Sequence, residues 1–432
     1  MTAIEELTEQ LRKTSKPVFI KVLARNDHIW ADRLPGEKGK GKQNGFYVPT
    51  EIRESGFFPE QYQRQDIEHI FDTRVPTLWP QEDAPEIHSS NYVHYSNKGS
   101  ECHFTGIPKE LFSGLGPSSL LVMIQPDDRS AADAVWTGLR IPSGTPDYDE
   151  AYDLFELPPG FVCGILEPPQ QNPNEELAEA ILKALVDGTL EQFVSNAALA
   201  NGKSFAVSTQ NAFLLETGLQ SFNALSELKK PGDTILRLCD MQYAGYQKLE
   251  LRLRTAELVQ LLNKSRPGIL NARDAIHAIV STFPEILELF KSLRGARASR
   301  MGTAFELHIE RVLGDTKVPF IAQPKIGNRK PDFLLPSLMK YNDDPASAIV
   351  LTAKSTLRER WQQILNEGVG AQLYLATLDR SITDQTLGDM EASGIKIVVP
   401  EQFVSRAHKG VPAGVYQGKP SVISFKTFFE SL

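Results

Sequence analysis

Short runs of β-branched and aromatic residues mark the first part of the chain: Val18-Phe-Ile-Lys-Val-Leu23, Gly45-Phe-Tyr-Val48, Leu120-Leu-Val-Met-Ile124 and Gly160-Phe-Val-Cys-Gly-Ile-Leu166. Turn-rich segments separate them, which predicts strands and a mainly β domain, barrel or sandwich. At Glu167-Pro-Pro-Gln-Gln-Asn-Pro-Asn174 the apolar pattern stops, and proline and amide residues describe an extended linker. Beyond it, apolar residues recur at three and four spacing over 177–193, 246–262 and 275–293, predicting helices. From Met301 the pattern alternates: helix 304–313, strands 331–335 and 348–353, helix 357–367, strand 372–378, helix 382–392 and strand 395–399. Such alternation predicts an α/β sandwich with a mixed sheet. The pattern therefore divides the chain into a β domain at 1–167, a linker at 168–175 and a second domain at 176–432, whose α/β core spans about 299–402.

Composition narrows the class. With 432 residues, 41% hydrophobic, and 22 Phe, 11 Tyr and 4 Trp, the chain has ample material for two or three cores and is too rich in large apolar side chains for disorder. Cys102, Cys163 and Cys239 are odd in number and far apart, so neither a disulfide framework nor a zinc ribbon is encoded, and reduced thiols in a cytoplasm are expected. No basic, apolar leader opens the sequence, and no run approaches the roughly 18 apolar residues of a membrane span; the expectation is a soluble cytoplasmic protein with no membrane partner. A net charge of −8 argues against nucleic acid as a partner, but the average conceals a local exception. Between Lys291 and Asp332 stand nine basic residues and four acidic ones. The stretch from Asp127 to Glu156 carries eight acids and is expected to face away from DNA.

The candidate chemistry lies in that basic half. Pro331-Asp332 opens one apolar strand, and Thr352-Ala-Lys354 ends the next, with Thr352 and Lys354 on one face. Hydrolysing a phosphodiester calls for carboxylates that hold Mg²⁺ and a cation beside the developing phosphorane charge. Asp332 and Lys354 supply one of each. Thr352 provides no second acid, so Glu367 on the following helix is the candidate. On that helix Arg360, Gln363, Ile364 and Glu367 share a face. Arg358-Glu359-Arg360 at its start offers two bidentate donors for guanine and an acceptor for the cytosine amino group, a trio suited to G·C pairs. Taken singly, each feature has an ordinary reading: Arg-Glu-Arg is usually a solvated face, and Glu306 and Glu310 are usually surface charges.

Jointly, the run Lys354-Ser-Thr-Leu-Arg358-Glu359-Arg360-Trp361 through Glu367, preceded by Arg329-Lys330-Pro331-Asp332-Phe-Leu-Leu-Pro336-Ser337, resembles the catalytic core of EcoRII-type restriction endonucleases, members of the PD-(D/E)xK nucleases. In this group the second metal-binding acid sits on the helix thirteen residues after the lysine, the separation of Lys354 and Glu367. The likeness extends from Gly302-Thr-Ala-Phe-Glu306 to Gly394-Ile-Lys-Ile-Val-Val-Pro400. It implies that Asp332 and Glu367 bind Mg²⁺, that Lys354 is the catalytic lysine, that Glu306 is a further active-site acid, and that Tyr341 lies near the site. It further implies that Arg358, Glu359 and Arg360 read the outer C·G pairs of a CC-type target. Where a relative carries Asp, this chain has Glu359.

The amino-terminal half resembles the EcoRII effector domain, a β pseudobarrel related to plant B3 DNA-binding domains, through Val18-Phe-Ile-Lys-Val-Leu-Ala-Arg-Asn26-Asp27 and Gly45-Phe-Tyr47-Val-Pro49. Between them, Lys38, Lys40, Lys42 and Asn44 lie on a glycine-rich loop suited to groove and phosphate contact, and Tyr47 follows. A second arm is expected at Lys98, Glu101 and His103, where this chain is poorer in Lys and Arg than the family pattern. The fold expected is a B3-like β pseudobarrel followed by an α/β restriction-endonuclease-like domain with added helices. The activity expected is Mg²⁺-dependent cleavage of double-stranded DNA at a short C/G-rich site, with a second site copy bound by the effector domain. A homodimer formed through the catalytic domain and a cognate DNA methyltransferase encoded nearby are the expected partners. The alternatives are a DNA-binding regulator that does not cut and a nuclease of repair or modified-base surveillance.

Overall fold

The computed structural model describes residues 2–14, 16–32, 44–98, 102–116, 118–126, 134–167, 175–196, 202–268, 271–326, 329–357, 370–406 and 414–432. The chain divides into two compact units: Met1–Gln170 with Thr356–Leu365 and Leu378–Ser424, and Gln171–Ser355 with Asn366–Thr377 and Phe425–Leu432. Of the expected linker 168–175, all but Glu175 lies outside the described residues, and Glu175 opens a helix.

The first unit is built on a curled sheet of nine described strands: β1 (Val18–Val22), β2 (Gly45–Tyr47), β3 (Tyr62–Gln63), β4 (Ile70–Leu78), β5 (Ile87–Tyr95), β6 (Cys102–Thr105), β7 (Leu120–Ile124), β8 (Trp136–Ile141) and β9 (Cys163–Leu166). Their order is β2-β6-β5-β4-β8-β7-β1-β9, with β3 on β4. Every pairing is antiparallel except β4 with β8. Strands β1 and β7 are buried along their whole length, which explains their unbroken apolar runs. One face meets an aromatic core that includes Phe19, Phe46, Trp79, Tyr92 and Phe104. The other, through Val18, Ile20 and Val22, packs with side chains of the helices Ala3–Arg12 and Pro146–Leu154. The long hairpin β4–β5 has mixed, partly exposed faces and so carries no clear apolar alternation in the sequence. The carboxy-terminal part of this unit is anchored by Arg380, whose Nη1 donates to the Phe161 carbonyl at 3.1 Å and whose guanidinium lies 4.5 Å from the Phe403 ring centroid.

The second unit is mainly helical, with the sheet strands β10 (Ile321–Ala322), β11 (Phe333–Leu335), β12 (Ile349–Lys354) and β13 (Gln372–Thr377) in that order. β10, β11 and β12 pair antiparallel and β12 with β13 parallel, so the sheet is mixed as the alternation predicts. Two helices expected to be continuous are each divided. The stretch 177–193 forms Glu175–Val186 and Leu190–Asn196, because Gly188 takes φ of 68° and closes the first helix. The stretch 275–293 forms Ala272–Ser281 and the start of Phe283–Asp315, broken where Pro284 occupies a first-turn position. The helices expected at 246–262 and 304–313 are pieces of the longer Pro231–Ser265 and Phe283–Asp315. The helix expected at 357–367 lies, from 358 onward, outside the described residues.

Candidate active site

Strand β12 runs between β11 and β13, so residues 350–353 are buried, and at its last residue, Lys354, the chain returns to partial exposure. Asp332 stands immediately before β11, whose antiparallel register Phe333↔Leu351 carries it to the end of β12. There its Oδ2 accepts from the Ala353 amide at 2.7 Å and from Lys354 Nζ at 3.2 Å. The Asp332 side chain is 13% exposed and that of Lys354 37%, so the pair is partly desolvated yet open on one side. Thr352 is fully buried.

Glu306 approaches from the helix Phe283–Asp315, held by the buried neighbours Ala304, Phe305 and Ile309 on the same helix. Burial, and then the Asp332 charge, push its carboxyl above the usual range; Lys354, a hydrogen bond from Gln323 and Lys330 pull the other way. Glu306 and Asp332 are thus close enough to repel. A divalent cation relieves such repulsion, and hard carboxylate oxygens are the donors Mg²⁺ prefers, so the residues present fit that ion. Glu367, expected as the second metal ligand, lies outside the described residues, as do Arg358, Glu359 and Arg360. Among the described residues no group of three or more His, Cys, Asp or Glu is placed to hold a metal. Tyr341, on the helix Leu338–Asp343, is buried against Leu334, Ala348 and Val350, a cluster drawn from β11, β12 and the segment between them.

Sequence reasoning passed over Gln323. Its backbone amide donates to the Asp332 carbonyl at 2.7 Å, and its Nε2 lies 3.4 Å from Glu306 Oε2. Nothing in the residue type signals this, since the connection runs through backbone geometry.

Of the residues expected to contact DNA from the amino-terminal half, Lys38, Lys40, Lys42 and Glu101 lie outside the described residues, and Asn44 is exposed just before β2. Tyr47 and His103 are register partners on β2 and β6, with ring centroids 5.9 Å apart. Tyr95 reaches the same His103 ring at 6.4 Å, and Lys98 Nζ sits 4.9 Å from the centre of the Tyr95 ring. Tyr47, His103 and Lys98 are therefore brought together, with His103 buried and Tyr95 as the link that sequence reasoning omitted. Beneath them Lys21 Nζ, 3.1 Å from Asp27, also donates to the Tyr47 carbonyl at 2.8 Å. Elsewhere on this unit a cleft of about 720 Å³ opens between Arg53, Glu60, Gln61, Phe71 and His94.

A carboxylate just before one strand and a lysine at the end of its neighbour thus stand together, with a helix-borne carboxylate beside them. The carboxy-terminal part of the chain is EcoRII-like: residues 270–428 match the protein family described as EcoRII C terminal. Over 152 residues the chain is 35% identical to the type II restriction enzyme EcoRII of Escherichia coli, covering 34% of this chain and 37% of that enzyme. Over 197 residues it is 26% identical to the type II restriction enzyme SsoII of Shigella sonnei, covering 42% of this chain and 64% of that enzyme. The chain thus spans between about a third and two thirds of the length of these relatives. Among solved structures, metal-depleted Ecl18kI in complex with uncleaved, modified DNA matches 56% of this chain and 82% of its own at 21% identity and a TM-score of 0.46. The B3 domain of the UbaLAI restriction endonuclease with cognate DNA matches 38% and 98% at 17% identity and a TM-score of 0.26. Among the described residues no helix is long and apolar enough to cross a membrane.

Proposed function

We propose that the protein is a type II restriction endonuclease that hydrolyses double-stranded DNA at a short C/G-rich site. The observation that carries this reading is the Asp332–Lys354 pair at 3.2 Å, with Glu306 beside it, inside the segment that matches the EcoRII carboxy-terminal family. Asp332 and Glu367 are the residues to hold Mg²⁺, which when bound supplies a more acidic water and polarises the scissile phosphate. Asp332, fixed by the Ala353 amide at 2.7 Å, offers its carboxylate to the site. Lys354 places its ammonium where negative charge collects on the phosphoryl oxygens as an in-line attack proceeds. Glu306 adds a third carboxylate, and Tyr341 supports the sheet behind Asp332. Arg358, Glu359 and Arg360 read the outer C·G pairs of the target.

In this reading the amino-terminal unit is an effector domain that binds a second copy of the site through Lys38, Lys40, Lys42, Asn44, Tyr47, Lys98, Glu101 and His103. The catalytic parts act as a homodimer, one active site per strand of a twofold-symmetric target. A cognate cytosine DNA methyltransferase encoded nearby protects the host's own sites.

The test is digestion of phage DNA of known sequence with and without Mg²⁺, followed by mapping of the ends. Discrete fragments with common termini, formed only with Mg²⁺, support the reading; sequence-specific binding with no cleavage sinks it and leaves a DNA-binding regulator. In the same assay Lys354→Ala is expected to lose cleavage by a factor of about 100 or more while keeping its affinity for the duplex in EDTA. Equal loss of both argues against the role given to Lys354.

A further inference from the structure

Strands β10 and β11 pair as Ile321↔Leu334 and Ala322↔Phe333, and the next rung is the Gln323 amide to the Asp332 carbonyl at 2.7 Å. Gln323 therefore stands directly across from the carboxylate that pairs with Lys354. It does so with φ of +47°, in the left-handed region that a side chain other than Gly, Asn or Asp rarely occupies. Strain of this kind persists only where the surroundings enforce it, and it collects at functional sites. Here two anchors enforce it: the rung to Asp332, and Nε2 at 3.4 Å from Glu306 Oε2. The turned backbone lets one residue hold Asp332 by its main chain and Glu306 by its side chain, two acids that approach from a strand end and from a helix.

We propose that Gln323 is a positioning residue, which fixes the Glu306 carboxylate beside the Asp332–Lys354 pair. The inference rests on the nuclease reading given above for the site it serves. A residue that served only to turn the chain after β10 is best replaced by glycine, which adopts this φ without strain. A positioning residue is not, because glycine removes the amide.

The experiment compares Gln323→Gly and Gln323→Asn with the unsubstituted protein in single-turnover cleavage, duplex affinity in EDTA, thermal midpoint and metal-free crystal structures. Gln323→Gly is expected to slow cleavage about three- to tenfold, the effect of deleting a long, exposed hydrogen bond to a carboxylate. Its duplex affinity stays within about twofold and its thermal midpoint is equal or higher, since backbone strain is released. In its crystals the Glu306 side chain leaves the Asp332–Lys354 pair. Asparagine tolerates the left-handed region and keeps an amide, so Gln323→Asn recovers part of the rate. Cleavage by Gln323→Gly within twofold of the unsubstituted protein, or Glu306 unmoved in its crystals, overturns the proposal. So does a rate loss matched by a falling thermal midpoint and weaker binding. If the unsubstituted protein does not cut, the nuclease reading falls, and the position of Glu306 in the two crystal structures still decides the role of Gln323.

Discussion

His308 follows Glu306 by two residues on the same helix, but its surroundings leave it a different chemistry. It is fully buried, its Nδ1 meets Gln210 Nε2 at 3.1 Å, and its Nε2 has no hydrogen-bond partner among the described residues. Burial drives its pKa from 6.5 down to about 3, so the folded protein keeps it neutral. The sign of the consequence follows from proton counting. Below pH 6.5 the unfolded chain protonates this imidazole and the folded chain does not, so stability falls as pH drops and goes on falling until about pH 3. Between pH 7 and pH 5 this one group should cost about 2 kcal/mol. His308→Leu removes the titration, so its unfolding free energy should drop by about 2 kcal/mol less over that interval than that of the unsubstituted protein. Urea denaturation at the two pH values measures this, and parallel losses in both proteins would show that His308 titrates alike folded and unfolded. Asp332 and Lys354 were legible in the sequence because strand alternation and the placement of polar residues at the ends of apolar runs single them out. His308 and Gln323 were not: one owes its state to burial, the other to a backbone angle, and neither leaves a mark on residue type.

Strand β1 carries a lysine within an otherwise apolar run, a visible anomaly whose explanation lies on two other elements. Lys21 is 3% exposed and pairs at 3.1 Å with Asp27, which is 1% exposed on the short helix Arg25–His28. Asp27 accepts in turn from the Ala24 amide at 2.8 Å and from the Tyr47 amide of β2 at 2.7 Å, while Lys21 donates to the Tyr47 carbonyl. One buried ion pair thus ties β1, the helical turn and β2 together. Lys21→Met leaves Asp27 buried without its cation, and such a break costs about 3–5 kcal/mol. The two backbone donors left on Asp27 place the expected loss near about 3 kcal/mol, read as a lowered urea midpoint. A loss below about 1 kcal/mol would mean that water reaches Asp27 in the variant. At this scale the sequence was uneven. Apolar runs placed β1, β2, β7 and the strands around Asp332 and Lys354, because burial on one or both faces writes itself into residue type. Strands β4 and β5, whose faces mix polar and apolar residues, went unannounced, and the breaks at Gly188 and Pro284 came from local backbone preferences that a three-and-four apolar count ignores.

For the molecule as a whole, the reading demands two active sites acting on one duplex, and the second unit carries a surface suited to joining them. Along the helix Ala272–Ser281 and the start of Phe283–Asp315, Val280 is 72% exposed, Phe283 59% and Phe290 54%, with Ile276, Ile279 and Leu287 also open to solvent. Ile276, Ile279 and Val280 follow three-and-four spacing on the first helix and Phe283, Leu287 and Phe290 on the second, so each helix carries a short apolar stripe. Together these six side chains expose on the order of 600 Å², against the roughly 800 Å² per partner of a standard interface. On the proposed nuclease reading a second copy of the chain is the expected occupant, since a twofold pairing sets the same surface against itself and a palindromic target would call for that symmetry. Phe283→Asp with Phe290→Asp would bury two charges in such an interface and costs the monomer little, because more than half of each residue is already exposed. Sedimentation velocity at micromolar concentration is expected to show a dimer for the unsubstituted protein and a monomer for the double variant, with thermal midpoints within a few degrees. Cleavage then separates a dimeric nuclease from one that works alone: the double variant should lose concerted double-strand breaks by about tenfold or more and accumulate nicked plasmid. An unsubstituted protein that sediments as a monomer yet still breaks both strands at once would rule out this surface, and with it the twofold arrangement on which the whole-molecule reading depends.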